Sequence, residues 1–262
     1  MINKLVNALR PLVKKVIGPS LRPFVNRIYF NFAGLLYTGD KVYCFCCQKK
    51  YSKFLPYRTY GHHTRQNAQC PGCGSLERHR LMMAFLQEKT EVFREKVNLL
   101  HFAPEDTLQR RFIKMQNIKY LSVDLFSPLA MQRMDIMDLP INDSTYDSIL
   151  CNHVLAHVED DRKAMRELYR ILKVGGWALI TTTINLSIQT FEQPGPLTKE
   201  EKLEFYGQED LCRIYGHDII DRLEETGFAV ELVDYATQLP HSKFGEYGFN
   251  KDLMLYCRRN SK

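Results

Sequence analysis

No apolar run in this 262-residue chain approaches the roughly 20 residues that a bilayer-crossing helix requires. No secretion leader is expected either. Lys4, Arg10, Lys14 and Lys15 interrupt the N-terminal segment, leaving no continuous apolar core and no small-residue cleavage site. A cytoplasmic location is therefore expected. Internal repeats and low-complexity tracts are absent, which excludes solenoids and sequence-biased linkers. Acidic residues are scarce at the front: residues 1–80 hold 14 Lys/Arg against 2 Asp/Glu, a balance of +12. Residues 81–262 hold 22 against 28, a balance of −6. A basic front on a mildly acidic rear points to an anionic partner for the front, be it nucleic acid, an acidic glycan or a phospholipid surface.

The remaining composition, 45% hydrophobic and 25% charged, is that of a soluble globular protein. Its length suits one sizeable domain and a smaller appendage. Eight cysteines without a leader argue against a disulfide scaffold and for metal binding. Cys44 and Cys47 form one C-x-x-C pair, Cys70 and Cys73 another, with 22 residues between them. Each pair can present two thiolates from a tight turn, and four thiolates satisfy the tetrahedral preference of zinc. The glycines in Cys70-Pro71-Gly72-Cys73-Gly74 suit such a turn. No position is then left for water, so the Zn2+ is expected to be structural. Cys46 is an alternative to Cys47, and His62 or His63 a substitute ligand, although both histidines read better as surface residues. Cys151, Cys212 and Cys257 fall within apolar patterns and read as small buried hydrophobes.

Three regions are expected. Residues 1–40 read as basic amphipathic helices. Ile2 to Ile17 carries apolar residues at helical spacing opposite Lys4, Arg10 and Lys14; Gly18-Pro19 ends it, and Leu21 to Phe32 forms a second helix. Such helices dock either on an anionic membrane surface, with a peripheral place at the inner membrane, or on the protein itself. Residues 41–75, too short for a conventional core, form a metal-held ribbon. Residues 76–262 form the main domain. Leu76 to Phe93 is predicted helical with Ser75 as N-cap. Thereafter strands at Val97–Phe102, Lys119–Val123, just before Asp135, Tyr146–Cys151, Trp177–Thr182, Phe228–Val233 and Asp252–Cys257 alternate with helices over Pro104–Met115, Asp160–Leu172 and Asp210–Thr226. That alternation indicates a parallel sheet of βαβ units. Residues 184–209 form a connection long enough to be a lid or substrate loop.

A doubly wound sheet binds its ligand beyond the carboxyl ends of its strands. The first strand is followed by Phe102, Ala103 and Glu105, the second by Asp124, the third by Asp135 and Ile136, and the fourth by Asn152 and His153. An acidic residue such as Asp124 at the second strand end can hold both hydroxyls of a ribose. Asp135 can accept from an adenine amino group while Ile136 and its neighbour form an apolar slot.

Three blocks, Asp135-Ile-Met-Asp-Leu-Pro, Tyr146-Asp-Ser-Ile-Leu-Cys-Asn-His-Val-Leu-Ala-His-Val and Leu168-Tyr-Arg-Ile-Leu-Lys-Val-Gly-Gly-Trp, resemble the class I S-adenosylmethionine (SAM)-dependent methyltransferases. The similarity covers roughly residues 97–257, and the whole chain looks like bacterial methyltransferases with an N-terminal zinc ribbon. The resemblance implies an α/β fold, a Rossmann-like seven-stranded sheet whose last strand is antiparallel, with SAM across the first four strand ends. It therefore implies cofactor-side roles for Phe102, Ala103, Glu105, Asp124, Asp135, Ile136 and Asn152. One departure stands out. The family's first motif, an acid followed by G-x-G-x-G, is here His101-Phe-Ala-Pro-Glu-Asp, with Ala103 at the first glycine position. Glu105 or Asp106 can then supply a charge toward the SAM ammonium.

His153 and His157 lie at i and i+4 past the fourth strand, where a helical turn places both on one face. By resemblance His157 matches a histidine recurrent in this family branch, and either histidine is a candidate base for a hydroxyl acceptor. Tyr215 and His217 are further acceptor-side candidates. The branch acts on small molecules, lipids and glycans. The alternative is an RNA methyltransferase gripping its substrate through Lys49, Lys50, Lys53, Arg58 and Arg65 among aromatics. Against it, the Asn/Asp-Pro-Pro-aromatic signature of base-amino methylation is absent, and Cys151 lacks the proline that follows a nucleophilic cysteine. A third reading, a binding module that kept the fold without the chemistry, rests on the glycine-free first motif.

Overall fold

The structure is a computed structural model, which describes residues 22–58 and 64–260, with the backbone alone at 22, 23, 241 and 242. The expected Ile2–Ile17 helix and His62 and His63 lie outside the described residues. Among the described residues no helix is long and apolar enough to cross a membrane. The chain divides into two compact units, residues 1–80 with 241–249, and residues 81–240 with 250–262.

In the first unit, helix α1 (Arg22–Leu36) precedes two small antiparallel hairpins. These are β1 (Thr38–Cys44) with β2 (Lys49–Tyr51), and β3 (Leu55–Arg58) with β4 (Thr64–Gln69). Phe30 and Ala33 bury one side of α1. Gly72 and Gly74 have no room for side chains. A Cβ at Gly74 would lie 2.4 Å from the Phe30 ring, and one at Gly72 would overlap the Tyr51 hydroxyl. Residues 241–249 were expected in the main domain but cluster here. Tyr247 packs edge-on against Phe45 and Tyr43, and Phe249 lies against Phe45. Arg80 anchors the unit. Its guanidinium donates to the carbonyls of Ala68, Ser75, Tyr247 and Gly248 and lies over the Phe54 ring at 3.9 Å.

Helix α2 (Glu77–Lys89) begins one residue later than predicted, and Ser75 does not cap it. The Leu76 carbonyl accepts from His79 and Arg80, the His79 ring accepts the Leu76 N–H, and the Ser75 hydroxyl is occupied by sulfur contacts.

The second unit holds a seven-stranded sheet. Its strands are β5 (Val97–Phe102), β6 (Ile118–Asp124), β7 (Gln132–Arg133), β8 (Tyr146–Asn152), β9 (Leu172–Thr181), β10 (Ala229–Val233) and β11 (Met254–Arg258), in the order β10-β11-β9-β8-β5-β6-β7. β5 to β9 are parallel, and β11 runs antiparallel between β9 and β10. The expected architecture is therefore present. Fully buried Leu99, Leu100, Ile149, Leu150, Leu179 and Ile180 give the central strands the continuous apolar runs of a sheet covered on both faces.

Helices α3 (Asp106–Phe112), α4 (Asp161–Ile171), α5 (Lys199–Tyr206) and α6 (Ile219–Glu224) connect the strands, and α7 (His241–Tyr247) belongs to the first unit. Two predictions fail locally. β9 starts at Leu172, before Gly175-Gly176, because residues 173–176 bulge out between the Tyr146–Leu172 and Ser148–Trp177 pairs. The helix expected from Asp210 starts only at Ile219. Residues 211–215 instead run alongside the preceding connection, where Ile184 pairs with Tyr215 and Phe191 with Ile214. Gly216 permits that approach, since a Cβ there would lie 2.2 Å from the Ile188 carbonyl oxygen.

Candidate functional site

The first unit carries a sulfur cluster. The Sγ atoms of Cys44, Cys47, Cys70 and Cys73 all lie within 4.8 Å of one another. Cys44 and Cys73 are 3.7 Å apart, and Cys47 and Cys70 3.8 Å. A regular tetrahedron with zinc–sulfur bonds of about 2.3 Å has edges of about 3.8 Å, so the spacing suits one zinc ion. The two knuckles share a design. In each, the residue after the second cysteine has positive φ (Gln48 56°, Gly74 77°). Its N–H bonds to the carbonyl of the first cysteine, at 2.7 Å for Gln48 to Cys44 and 2.9 Å for Gly74 to Cys70. Ser75 Oγ lies 3.3 Å from both Cys44 and Cys73 Sγ. Cys46 is buried but outside the four-sulfur group. Of the basic residues expected to grip RNA, Lys53 lies over the Tyr37 ring, and Arg65 lies over Tyr57 and pairs with Glu77 at 3.3 Å.

In the second unit, sheet register collects the predicted strand-end residues. Phe102 of β5 pairs with Val123 of β6 and with Cys151 of β8, so Ala103, Asp124 and Asn152 follow at one level. Asp124 pairs with Arg133 of β7, which sets Asp135 just beyond. A cavity of about 470 Å³ opens at these ends. Phe102, Ala103, Asp124, Asp135, Ile136, His153 and His157 all line it, joined by Phe126, Met137 and Asp210. Pockets for small ligands and cofactors have volumes of this order.

Ala103 takes φ 49°, the left-handed conformation a glycine would adopt there, and its N–H bonds to the Val123 carbonyl at 3.0 Å. Ala103 thus holds a backbone conformation that glycine favours. Asp124 Oδ1 accepts the N–H groups of Phe126 at 2.7 Å and Ser127 at 2.5 Å, holding the loop that follows β6. Asp135 Oδ1 similarly accepts the Met137 N–H at 2.8 Å. Two carboxylates at neighbouring strand ends, beside the buried Ile136 and a tight backbone turn, fit a nucleoside with an attached charged group.

Glu105 and Asn152 are not among the cavity-lining residues. Glu105 stands at the N-cap position of α3 without a side-chain capping bond, and its Oε2 accepts from His101 Nε2 at 3.1 Å and Asn152 Nδ2 at 3.5 Å. Burial pushes the Tyr120 phenol up, so its hydroxyl stays protonated and donates to His101 Nδ1 at 2.9 Å. Thr181 donates to Asn152 Oδ1 at 3.2 Å. Sequence reasoning passed over this relay of Tyr120, His101, Glu105, Asn152 and Thr181. A histidine inside an apolar strand was its one visible sign.

His153 and His157 reach the cavity without the predicted helical turn. His153 has φ 51°, and Leu155–His157 is a short 3₁₀ turn. His157 Nδ1 lies 3.1 Å from the Asp210 carbonyl oxygen. A carbonyl only accepts, so Nδ1 carries a proton and Nε2 is the ring nitrogen left to face the cavity, with Asp210 Oδ2 also 3.4 Å from Nδ1. Burial pushes the Cys151 thiol well up, which makes it a core residue and not a nucleophile.

Beside this cavity is a second, of about 750 Å³, roofed by the 184–209 connection, of which residues 192–197 line it, and sharing Glu159 with the first. Arg213 donates to the carbonyls of Leu155, Val158 and Glu159 and to Glu192. Arg222 reaches Asp161, Glu192 and Asp218 at 3.2, 3.0 and 3.1 Å. Tyr215, considered above for the acceptor side, donates to Asp161 from full burial. It belongs to this network. The roof segment also holds α5, whose capping box joins Thr198 and Glu201.

Residues 107–180 match the family described as Methyltransferase domain. An uncharacterized protein of Methanocaldococcus jannaschii, MJ1123, is 31% identical over 129 residues, covering 45% of this chain. The chain spans 59% of the length of that curated relative. Among solved structures, a SAM-dependent methyltransferase from Mesorhizobium loti is 15% identical, with 68% of this chain and 98% of that one covered and a TM-score of 0.49. Phosphoethanolamine N-methyltransferase 2 of Haemonchus contortus, in complex with SAM, is 14% identical over 64% of this chain and 50% of that one, with a TM-score of 0.45.

Proposed function

We propose that this chain, whose second unit is a class I SAM-dependent methyltransferase domain, transfers a methyl group to a small-molecule, lipid or glycan acceptor. The observation that carries this reading is the single cavity to which Ala103, Asp124, Asp135 and Ile136 come from successive strand ends. In this reading Asp124 holds the ribose, Asp135 and Ile136 hold the adenine, and the Ala103 turn carries the amino-acid portion. Glu105 lends negative charge near that portion while its own position is set by His101 and Asn152. Zn2+ on Cys44, Cys47, Cys70 and Cys73 is structural, because four thiolates complete its shell.

Bound SAM supplies an electrophilic methyl group on a sulfonium. The protein aligns the acceptor for in-line attack and keeps water away. His157 is placed to take the acceptor proton on Nε2, with Asp210 and the neighbouring backbone fixing its tautomer. The 750 Å³ cavity, adjoining at Glu159, is the natural place for the acceptor.

The test is cofactor binding. Purified protein should carry SAM or S-adenosylhomocysteine by mass spectrometry. Asp124→Ala should weaken SAM binding in calorimetry at least about tenfold, the size of one lost charge-assisted hydrogen-bond pair. Asp124→Asn, which keeps an oxygen for the Phe126 and Ser127 N–H groups, separates ribose contact from loop support. Unchanged SAM affinity in both variants would falsify the cofactor assignment.

A further inference from the structure

Helix α1 has two apolar faces, and only one is covered. With about 3.6 residues per turn, Phe30 and Ala33 point to the side opposite Phe24, Ile28, Phe32 and Leu35. Phe30 and Ala33 are buried, whereas the other four are between 56% and 76% exposed. Leu36 extends the exposed stripe. A helix that needed one face only to dock on its own protein would place polar residues at these spacings.

The sequence that carries this stripe is strongly basic, with Asp40 the one acidic residue in positions 1–50. Residues 1–39 contain Lys4, Arg10, Lys14, Lys15, Arg22 and Arg27 and no Asp or Glu. Exposed Lys41, Lys49 and Lys50 follow on the hairpin of β1 and β2. An apolar stripe within a cationic segment matches a bilayer interface, where acyl chains receive the stripe and anionic headgroups the cations. RNA fits less well. Stacking platforms use aromatic rings, and Ile28, Leu35 and Leu36 offer none.

We infer that the exposed face of α1 docks the protein on an anionic phospholipid membrane, with Phe24, Ile28, Phe32 and Leu35 entering the interface. This is independent of methyl transfer and needs no bound cofactor. Full-length protein is sedimented with vesicles of phosphatidylcholine alone or mixed with phosphatidylglycerol. The bound fraction should be at least about tenfold larger on the mixed vesicles and fall when salt shortens the Debye length from roughly 8 Å to 3 Å. Phe32→Asp should lower that binding about tenfold. Its zinc content and melting temperature report folding, and Leu35→Asp, at the most exposed position, serves if Phe32→Asp misfolds. Equal binding to both vesicle types overturns the inference. So does full binding by a folded Asp variant, or a salt-dependent shift of bulk RNA without vesicle binding.

Discussion

Ala103 donates its N–H to the Val123 carbonyl at 3.0 Å while holding φ at 49°, and this bond closes the β5 turn onto the tip of β6. An alanine bears the left-handed conformation at a cost of about 1–2 kcal/mol. The neighbouring strand makes that cost tolerable by satisfying the N–H.

Ala103→Val adds β-branching to this strained backbone. The variant should lose roughly 2 kcal/mol of stability, read as a lower urea midpoint with an unchanged slope. Ala103→Gly should stay within about 1 kcal/mol of the parent, because relieved strain is offset by unfolded-state entropy.

Removing the metal should unfold the first unit selectively. Elemental analysis of the untreated protein should find one equivalent of zinc, and chelation or Cys73→Ser should abolish it. Amide exchange in residues 38–58 and 64–75 should then accelerate, while β5, β8 and β9 stay protected. A chelated protein with unchanged exchange would contradict the structural role.

Arg213 is 4% exposed at its side chain, and Asp161 beside it 5%. Arg213→Met removes the guanidinium from the Val158 and Glu159 carbonyls, leaves Leu155 to the Tyr215 hydroxyl, and weakens compensation of buried Asp161, at a cost of about 3 kcal/mol. Those carbonyls flank His157, so turnover should fall while SAM affinity holds.

Acid should loosen the roof over the larger cavity. Burial alone would raise the carboxyls of Glu192 and Asp218. The Arg213 and Arg222 guanidinium groups on Glu192, and Thr190 and Arg222 on Asp218, outweigh it and hold both below their ordinary values of 4.5 and 3.8. Folding therefore favours their ionised forms. The stability this gives is fully present above those ordinary values and disappears as pH falls through the lowered ones. Limited proteolysis should cut residues 184–209 faster at about pH 3.5 than at about pH 6, before the sheet itself unfolds. Equal cutting rates would contradict this.

Much of the site was readable because it depends on local rules. Strand ends follow from apolar runs, so the sequence alone puts Asp124, Asp135 and His153 at or just beyond them, and the cysteine spacing picks out the four sulfurs that lie together. One missed element was also local: Thr198-Lys-Glu-Glu201 spells the capping box of α5. Other features have no local signature. Nothing near His101 in sequence announces Tyr120 or Asn152, and nothing near Arg213 announces Asp161 and Glu192.

The sequence by itself determined the order of elements, the metal knuckles and the acidic strand tips, because periodicity, turn chemistry and ligand spacing act over a few residues. Only the tertiary structure decided that Ala103 adopts a glycine's backbone, that Asp210 orients His157, and that residues 211–215 pair with the roof and form no helix. Those outcomes depend on hydrogen bonds and close approaches between residues distant in the chain, whose energies no short segment carries.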